Sequence, residues 1–143
     1  MTCPPSERIA IADLAAAYAL AVDRIGDADG VAALFTPDGI YDLAALGMGE
    51  IKGRAAVREF FVTAFAGMAQ NAHFISNIAV TAYDPAGAAQ VQAYGHAFSL
   101  GKDGNLLEVK ARYAFELVRR GNGWLIARLD MAMLLPPVVT PQG

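Results

Sequence analysis

The sequence contains little charge and almost no clustering of positive residues. Of its 143 residues, 17% are charged, and the formal net charge is −3, whereas charged residues make up about 25% of an average globular chain. The densest basic run is the pair Arg119-Arg120. Because a nucleic-acid-binding surface needs many lysines and arginines to neutralise phosphates, the composition argues against nucleic acid as a partner.

Cysteine and histidine are scarce as well. Cys3 is the single cysteine, which excludes an internal disulfide and any metal site built from several thiolates. Its position in a short arm, residues 1–5, makes it an improbable nucleophile. The two histidines, His73 and His96, lie far apart in the sequence and form a weak zinc candidate. We therefore expect neither a metal nor a cofactor.

Long hydrophobic runs are missing too. No apolar run approaches the roughly 18 residues that a membrane-spanning helix needs, and the N-terminus lacks the charged-then-apolar order of a signal peptide. We therefore expect no membrane contact and a cytoplasmic location. Yet 55% of the residues are hydrophobic, which excludes intrinsic disorder. This apolar surface must enter a core, a pocket or a subunit interface, and we expect a homodimer or homotrimer.

The first half of the chain is predicted to be mainly helical. Ser6 is a good N-cap for a helix from Glu7 to Asp23, where apolar residues recur at helical spacing. A second helix is predicted over Ala28–Phe35, before the turn sequence Thr36-Pro37-Asp38-Gly39. Short strands at Ile40–Leu43 and Gly49–Lys52 follow. A third helix is predicted from Arg54 to Met68.

The second half is predicted to consist of strands. Turn sequences rich in glycine, aspartate and asparagine separate four long segments of strand type, namely His73–Tyr83, Ala88–Leu100, Leu106–Val118 and Trp124–Leu134. Helices followed by consecutive antiparallel strands indicate an α+β fold with helices on one face of a curved sheet. We find no repeat or linker, so the chain reads as an arm (1–5), one domain (6–135) and a tail (136–143).

Few residues offer chemistry, and each has an ordinary structural alternative. His73 and His96 fall within predicted strands, where an imidazole needs a hydrogen-bond partner and is often purely structural. Asp23 ends an apolar helix, where the helix dipole disfavours an anion, although it could be a solvated carboxylate. Tyr18 could be a core aromatic. Because no nucleophile, phosphate-loop or dinucleotide motif is present, general acid–base chemistry in an apolar pocket remains.

The order of elements resembles the cone-shaped fold of the nuclear transport factor 2 superfamily, and in particular its SnoaL-like branch. The stretches that carry the resemblance are Ile11 through Asp23, Ala33 through Gly39, Ala72 through Asn77, and Arg119 through Trp124. The resemblance covers about residues 6 to 135. It implies a curved, mostly antiparallel sheet with three helices packed on its concave face. It is specific for fold more than for reaction, because such folds carry many activities.

Three groups of this branch are similar at candidate site positions: scytalone dehydratases, bile acid 7α-dehydratases and lindane dehydrochlorinases. The resemblance implies that Asp23 orients His73, which acts as a base. It further implies that a phenol, Tyr18 or Tyr41, protonates or polarises the departing oxygen. The remaining implied substrate-binding residues are His96, Tyr113, Phe98 and Met131. The pocket wall would consist of Phe60, Phe65, Phe98, Leu129, Met131 and Met133, which suits a small hydrophobic, cyclic molecule.

The function predicted first is a cofactor-independent lyase of the dehydratase type. An isomerase or cyclase acting on a polyketide-like or steroid-like ligand would use the same groups to move a proton within one molecule. A non-catalytic binding module would keep the cone and the pocket without a working pair. The distance between His73 and Asp23 separates the two enzymatic functions from the binding module, because a base and its orienting partner must lie within about 3.2 Å.

Overall fold

In a computed structural model that describes residues 2–143, three helices and a short 3-10 helix (Ala44–Leu46) pack with one seven-stranded sheet. The helices are α1 (Pro5–Asp23), α2 (Ala28–Ala32) and α3 (Arg54–Ala66). The strands are β1 (Phe35–Leu43), β2 (Gly49–Lys52), β3 (Met68–Asp84), β4 (Ala88–Gly101), β5 (Asn105–Arg120), β6 (Gly123–Met133) and β7 (Val138–Pro141).

The sheet is mixed, and most of its strand pairs are antiparallel. The strand order is β2-β1-β6-β5-β4-β3, and β7 pairs with β5 beside β6. β1 and β6 run parallel, whereas β3 to β6 form consecutive antiparallel hairpins. The sheet is curved and does not close on itself. The predicted α+β class and the mostly antiparallel sheet with three helices on its concave face are therefore confirmed.

Alternation along the long strands gives the sheet two unlike faces. On the inner face, which the helices cover, Val91, Ala93, Tyr113, Phe115 and Leu117 are buried in one core with residues of α1 and α3. On the outer face, polar and charged side chains alternate with these positions, as expected for an antiparallel sheet that packs on one side only. The alternation predicted for β5 is observed: its apolar face packs against the core.

The N-terminal boundary differs from the prediction. α1 begins at Pro5 rather than at Glu7, with Pro4 as its N-cap, and Ser6 caps nothing. Proline suits the first helical position, because its missing N–H would have no partner there. The arm is also packed rather than free: Cys3 is 4% exposed and belongs to the hydrophobic core.

The junction between α2 and β1 also differs. α2 ends at Ala32 rather than at Phe35, because Phe35 is the first residue of β1 and pairs with Ile126 of β6. The predicted turn sequence at residues 36–39 lies within β1, where the pairing register with β6 shifts between Phe35 and Ile40. Pro37 cannot donate to a ladder, so this segment bulges out of the sheet without ending the strand.

Two further boundaries differ from the predictions. β3 begins at Met68 rather than at His73, because α3 ends at Ala66 and the chain enters the sheet at once. The tail predicted over 136–143 contains β7, which pairs with Asn105 to Glu108 of β5. The beginning of β5 therefore has a sheet neighbour beyond the last residue of β6.

Candidate active site

The C-terminal end of α1 and the start of β3 bring Asp23 and His73 together. The Asp23 Oδ1 atom lies 2.7 Å from the His73 Nδ1 atom, and the backbone N–H of His73 donates to Asp23 Oδ2 at 3.0 Å. The two side chains are 24% and 13% exposed. Because an ionised carboxylate only accepts hydrogen bonds, Nδ1 carries a proton, and in the neutral ring Nε2 is then the nitrogen with the lone pair. This geometry leaves Nε2 available as a base.

A second set of hydrogen bonds ties the end of α1 to the sheet. The Asn71 side chain donates to the backbone carbonyl of Val22 at 3.3 Å, which satisfies one of the carbonyls that a helix end leaves unpaired. Ser99 of β4 donates to Asn71 Oδ1 at 2.7 Å. These bonds hold the residue before Asp23 in place. Asn71 and Ser99 were missed in the sequence, although alternation from His73 back along β3 would have found Asn71.

An apolar cavity of about 320 Å³ opens beside His73. It lies between α1, α3 and the inner face of the sheet, and aromatic and aliphatic side chains dominate its wall. Its lining residues are Tyr18, Val22, Tyr41, Leu43, Leu46, Met48, Phe60, Phe61, Ala64, Met68, Asn71, His73, Ala97, Ser99, Leu107, Val109, Tyr113, Met131, Met133 and Pro137. Among residues 2–143, no lysine, arginine, aspartate or glutamate lines it.

Three tyrosines reach this cavity, and two of them bond to each other. The hydroxyls of Tyr18 and Tyr41 are 2.9 Å apart, and Tyr41 donates to Met131 Sδ at 3.1 Å. Burial raises the pKa of Tyr41 to about 12, and burial together with the neighbouring phenols raises the pKa of Tyr18 well above its usual range. Both phenols therefore keep their protons near neutral pH.

The third phenol, Tyr113 of β5, is 1% exposed as a residue. Burial, and then the charges of Tyr41 and Asp23, raise its pKa. Its ring meets the Tyr18 ring edge-on, with the ring centres 6.1 Å apart. Tyr18, Tyr41, Tyr113 and Met131 therefore surround one cavity with His73, and their roles toward a substrate remain predictions.

The structure corrects the predicted positions of His96 and Phe98. Both lie on the outer face of β4, because Gly95 and Ala97 take the inward positions of the alternation. His96 Nε2 lies 2.7 Å from Glu108 Oε2, and its ring centre lies 4.6 Å from that of Phe98. Neither residue can contact a ligand in the cavity.

The predicted wall is correct in part. Phe60, Met131 and Met133 line the cavity. Phe65 and Leu129 are core residues that do not reach it. Phe61 of α3 and Val109 of β5 line it instead. Phe61 lies one helical turn before Phe65 on α3, and Val109 lies on β5, the strand next to the β6 strand that carries Leu129.

Neither a metal cluster nor a membrane span stands out in the part of the chain that the structure describes. Across residues 2–143, no group of three or more histidine, cysteine, aspartate or glutamate side chains is close enough to hold a metal ion. Over the same range, no helix is both long and apolar enough to cross a membrane.

This arrangement of elements and residues is that of a known family. A model of the SnoaL-like domain matches residues 6–130. The chain belongs to the SnoaL-like family. Its nuclear transport factor 2-like, cystatin-like fold is shared with solved structures. Nothing among the curated proteins matches the chain.

Three solved structures illustrate the relationship. A Novosphingobium aromaticivorans protein provisionally called an aromatic ring hydroxylase is 42% identical, with a TM-score of 0.93, over 97% of this chain and 96% of that chain. A provisional scytalone dehydratase from the same organism is 19% identical, with a TM-score of 0.84, over 96% and 89%. A hexachlorocyclohexane dehydrochlorinase is 19% identical, with a TM-score of 0.80, over 96% and 90%. The last two are similar in fold.

Proposed function

We propose that this SnoaL-like protein is a cofactor-independent lyase that removes a proton from a small, hydrophobic, cyclic substrate and expels a leaving group from the adjacent carbon. The observation that carries the proposal is the His73–Asp23 pair at the wall of an apolar cavity, with 2.7 Å between His73 Nδ1 and Asp23 Oδ1. The catalytic residues proposed are Asp23, His73 and Tyr18.

The elimination divides the work between the two members of this pair. His73 Nε2 takes a proton from carbon, the electrons of that C–H bond form a C=C bond, and the leaving group departs with its own bonding electrons. With a hydroxyl leaving group, the hydrogen-bonded phenols of Tyr18 and Tyr41 supply a proton to the departing oxygen, so that it leaves as water. The proton that His73 has taken then restores the phenol by way of water, and the net products are the alkene and water. Asp23 stabilises the imidazolium that forms and keeps the ring oriented. Tyr18 supports the site through Tyr41, to which it is hydrogen-bonded.

The cavity and the relatives support a ring substrate. A cavity of about 150 Å³ holds benzene, so about 320 Å³ has room for roughly two fused rings. The 42% identical neighbour is provisionally called an aromatic ring hydroxylase, a name that specifies a ring substrate but not an elimination. The two other neighbours are named after eliminations, of water in one case and of hydrogen chloride in the other.

The test uses two bicyclic ketones of suitable size. With 2,2-dideutero-1-indanone, wild-type protein should release deuterium to water faster than the His73→Gln variant, as followed by mass spectrometry. With 3-hydroxy-1-indanone, it should release water and form indenone, as followed by absorbance. Equal deuterium release by wild type and His73→Gln would contradict the assignment of His73 as base.

The same pair of assays discriminates the alternatives. An isomerase or cyclase would exchange deuterium but form no indenone, because it returns a proton to carbon and does not expel the hydroxyl group. A binding module would bind 1-indanone and accelerate neither reaction. The buried phenols Tyr18 and Tyr41 beside the His73–Asp23 pair favour proton transfer over binding alone.

We further propose that the protein self-associates as a dimer or trimer through the outer face of its sheet, and that it resides in the cytoplasm. Phe74 and Tyr94 are 60% and 44% exposed on that face, and a second copy would remove them from water. Light scattering at micromolar concentration should give a dimer or trimer that Phe74→Glu dissociates. A monomeric wild type would contradict the proposal.

A further inference from the structure

The three phenols of the cavity differ in what their hydroxyls already bind. Tyr18 and Tyr41 share a hydrogen bond, and Tyr41 also donates to Met131. No hydrogen bond within residues 2–143 involves the Tyr113 hydroxyl. Every side-chain oxygen or nitrogen described there that is fully buried has a hydrogen-bond partner, so the Tyr113 hydroxyl is not fully buried, and Tyr113 lines the cavity. The Tyr113 hydroxyl is therefore open to the cavity, and it is the phenol that can serve a ligand without first giving up a bond.

Gly95 of the neighbouring strand makes this position available. Tyr113 pairs with Ala93 across the strands, and its ring leans along β4 toward Gly95. A Cβ atom placed on Gly95 would lie 2.4 Å from Tyr113 Cζ and 2.6 Å from the Tyr113 hydroxyl oxygen. Any side chain at residue 95 would therefore displace the hydroxyl end of Tyr113. Glycine is required here for space.

The charge of the surroundings indicates the kind of ligand. The wall includes no lysine or arginine that could pair with a carboxylate or phosphate, and its one histidine already pairs with Asp23. Burying an unpaired charge is costly. The lining therefore favours an uncharged ligand. Burial raises the pKa of Tyr113, so its hydroxyl keeps the proton and can donate it to an acceptor atom. Since no acceptor within residues 2–143 takes this hydrogen bond, an acceptor atom of the ligand is the natural partner.

We propose that the cavity takes an uncharged ring ligand with a carbonyl oxygen, that the Tyr113 hydroxyl donates to this oxygen, and that Gly95 positions the donor. The inference rests on the proposed function in taking the cavity as the substrate site. When His73 removes the proton beside the carbonyl, negative charge develops on that oxygen. A donor already in place stabilises this charge without reorganisation.

Two ligands that differ only in the oxygen test the donor. Wild-type protein should bind 1-indanone more tightly than indane, by about three- to ten-fold, which is the value of one neutral hydrogen bond. Tyr113→Phe keeps the ring and should lose that preference. Tyr94→Phe removes a phenol from the outer face of β4 and should keep it. An unchanged preference in Tyr113→Phe, or a loss in Tyr41→Phe alone, would overturn the proposal.

A spectroscopic signal separates hydrogen bonding from packing. The carbonyl stretch of bound 1-indanone should lie at lower wavenumber in wild type than in Tyr113→Phe. Gly95→Ala should move it toward the Tyr113→Phe value, provided that its circular dichroism matches wild type. If Gly95→Ala does not fold, the Tyr113→Phe comparison still decides. A stretch that is identical in wild type and Tyr113→Phe would overturn the assignment.

The charge requirement and the proposed function are tested apart from each other. Indane-1-carboxylate should bind at least about tenfold more weakly than 1-indanone, because the wall has no cation to pair with it; equal binding would contradict an uncharged ligand. If wild-type protein binds 1-indanone more tightly than indane but does not accelerate deuterium release, only the role of His73 is refuted. If wild-type protein accelerates deuterium release but binds 1-indanone no more tightly than indane, only the role of Tyr113 is refuted.

Discussion

The two histidines form hydrogen bonds of the same length on opposite faces of one sheet. On the inner face, His73 Nδ1 lies 2.7 Å from Asp23; on the outer face, His96 Nε2 lies 2.7 Å from Glu108. The inner ring is 13% exposed and borders an apolar cavity, whereas the outer ring is 44% exposed. Glu108 also pairs with Lys110 at 3.2 Å. A histidine–carboxylate contact therefore does not by itself indicate a site.

The difference lies in which ring nitrogen is used and in what surrounds the other one. Asp23 binds Nδ1 of His73, a residue that lines the cavity, and no hydrogen bond within residues 2–143 occupies its Nε2. Glu108 binds Nε2 of His96 itself. Water screens the outer pair, and exposed ion pairs contribute little to stability. Only the inner pair combines a fixed ring with a space that a substrate could fill.

The largest expected effect concerns the histidines themselves. His73→Gln should lower the rate of deuterium exchange by about 10²-fold or more, because it removes the base. His96→Gln is the matched control on the outer face and should keep the rate within about twofold, because its ring does not reach the cavity. Rates measured with 2,2-dideutero-1-indanone check both. A dead His96→Gln variant that stays folded would contradict this assignment.

The carboxylates should differ in the same way. Asp23→Asn should lower kcat by about 10²-fold, and the Asp23→Asn/His73→Gln double variant should be little worse than either single variant, because residues that act as a unit are not additive. Glu108→Gln should leave kcat unchanged. Losses that multiply in the double variant would mean that Asp23 and His73 act independently.

A smaller effect is expected at alkaline pH. Burial raises the pKa of Tyr41 from 10.0 to about 12, so above pH 10 the unfolded state loses a proton that the folded state keeps. Stability is therefore fully present below pH 10 and falls as the pH rises toward about 12. Between pH 10 and pH 11 the free energy of unfolding of Tyr41→Phe should therefore fall by about 1 kcal/mol less than that of wild type. Urea titrations of wild type, Tyr41→Phe and the outer-face control Tyr94→Phe measure it.

The smallest effect should appear at acidic pH on the outer face. Hydrogen bonds from His96 and Lys110 lower the pKa of Glu108 below 4.5. Its contribution to stability is therefore present above that pH and is lost as the pH falls through the lowered value. Glu108→Gln should make unfolding slightly less sensitive to acid, in urea titrations on either side of pH 4.5. A steeper acid dependence in the variant would contradict the sign of this effect.

Local patterns predicted the elements of the fold well and their ends poorly. Alternation along β5 predicted which side chains face the core, and turn residues predicted the hairpins between β3 and β6. The junction at residues 33–39 was misassigned because Phe35 pairs with Ile126, which is distant in the sequence. Local propensity contains no information about that partner.

The resemblance was needed to predict that Asp23 and His73 form a pair, and strand alternation was needed to predict which side chains face the cavity. Residue type alone marked Asp23 and His73 as unusual but did not connect them, because they lie 50 positions apart in the sequence. His96 and Phe98 were misplaced because they were assigned from the resemblance, whereas the alternation of β4 places both side chains on the outer face. The inner positions beside them hold Gly95 and Ala97, since small residues are needed where Tyr113 and a cavity must fit. Where the inner face of a sheet borders a cavity, the larger side chains of a strand can therefore lie on its outer face.

The parallel pairing of β1 with β6 has a consequence for the order of folding. β3 to β6 can assemble as successive hairpins from neighbours in the chain, which is fast. β1 must wait for β6, and the Tyr41–Met131 contact joins residues 90 positions apart. Closing so long a loop costs entropy before any contact offsets it. In refolding experiments, burial of Tyr41 should therefore follow formation of the hairpins, and the cavity should be the last part of the molecule to gain its wall.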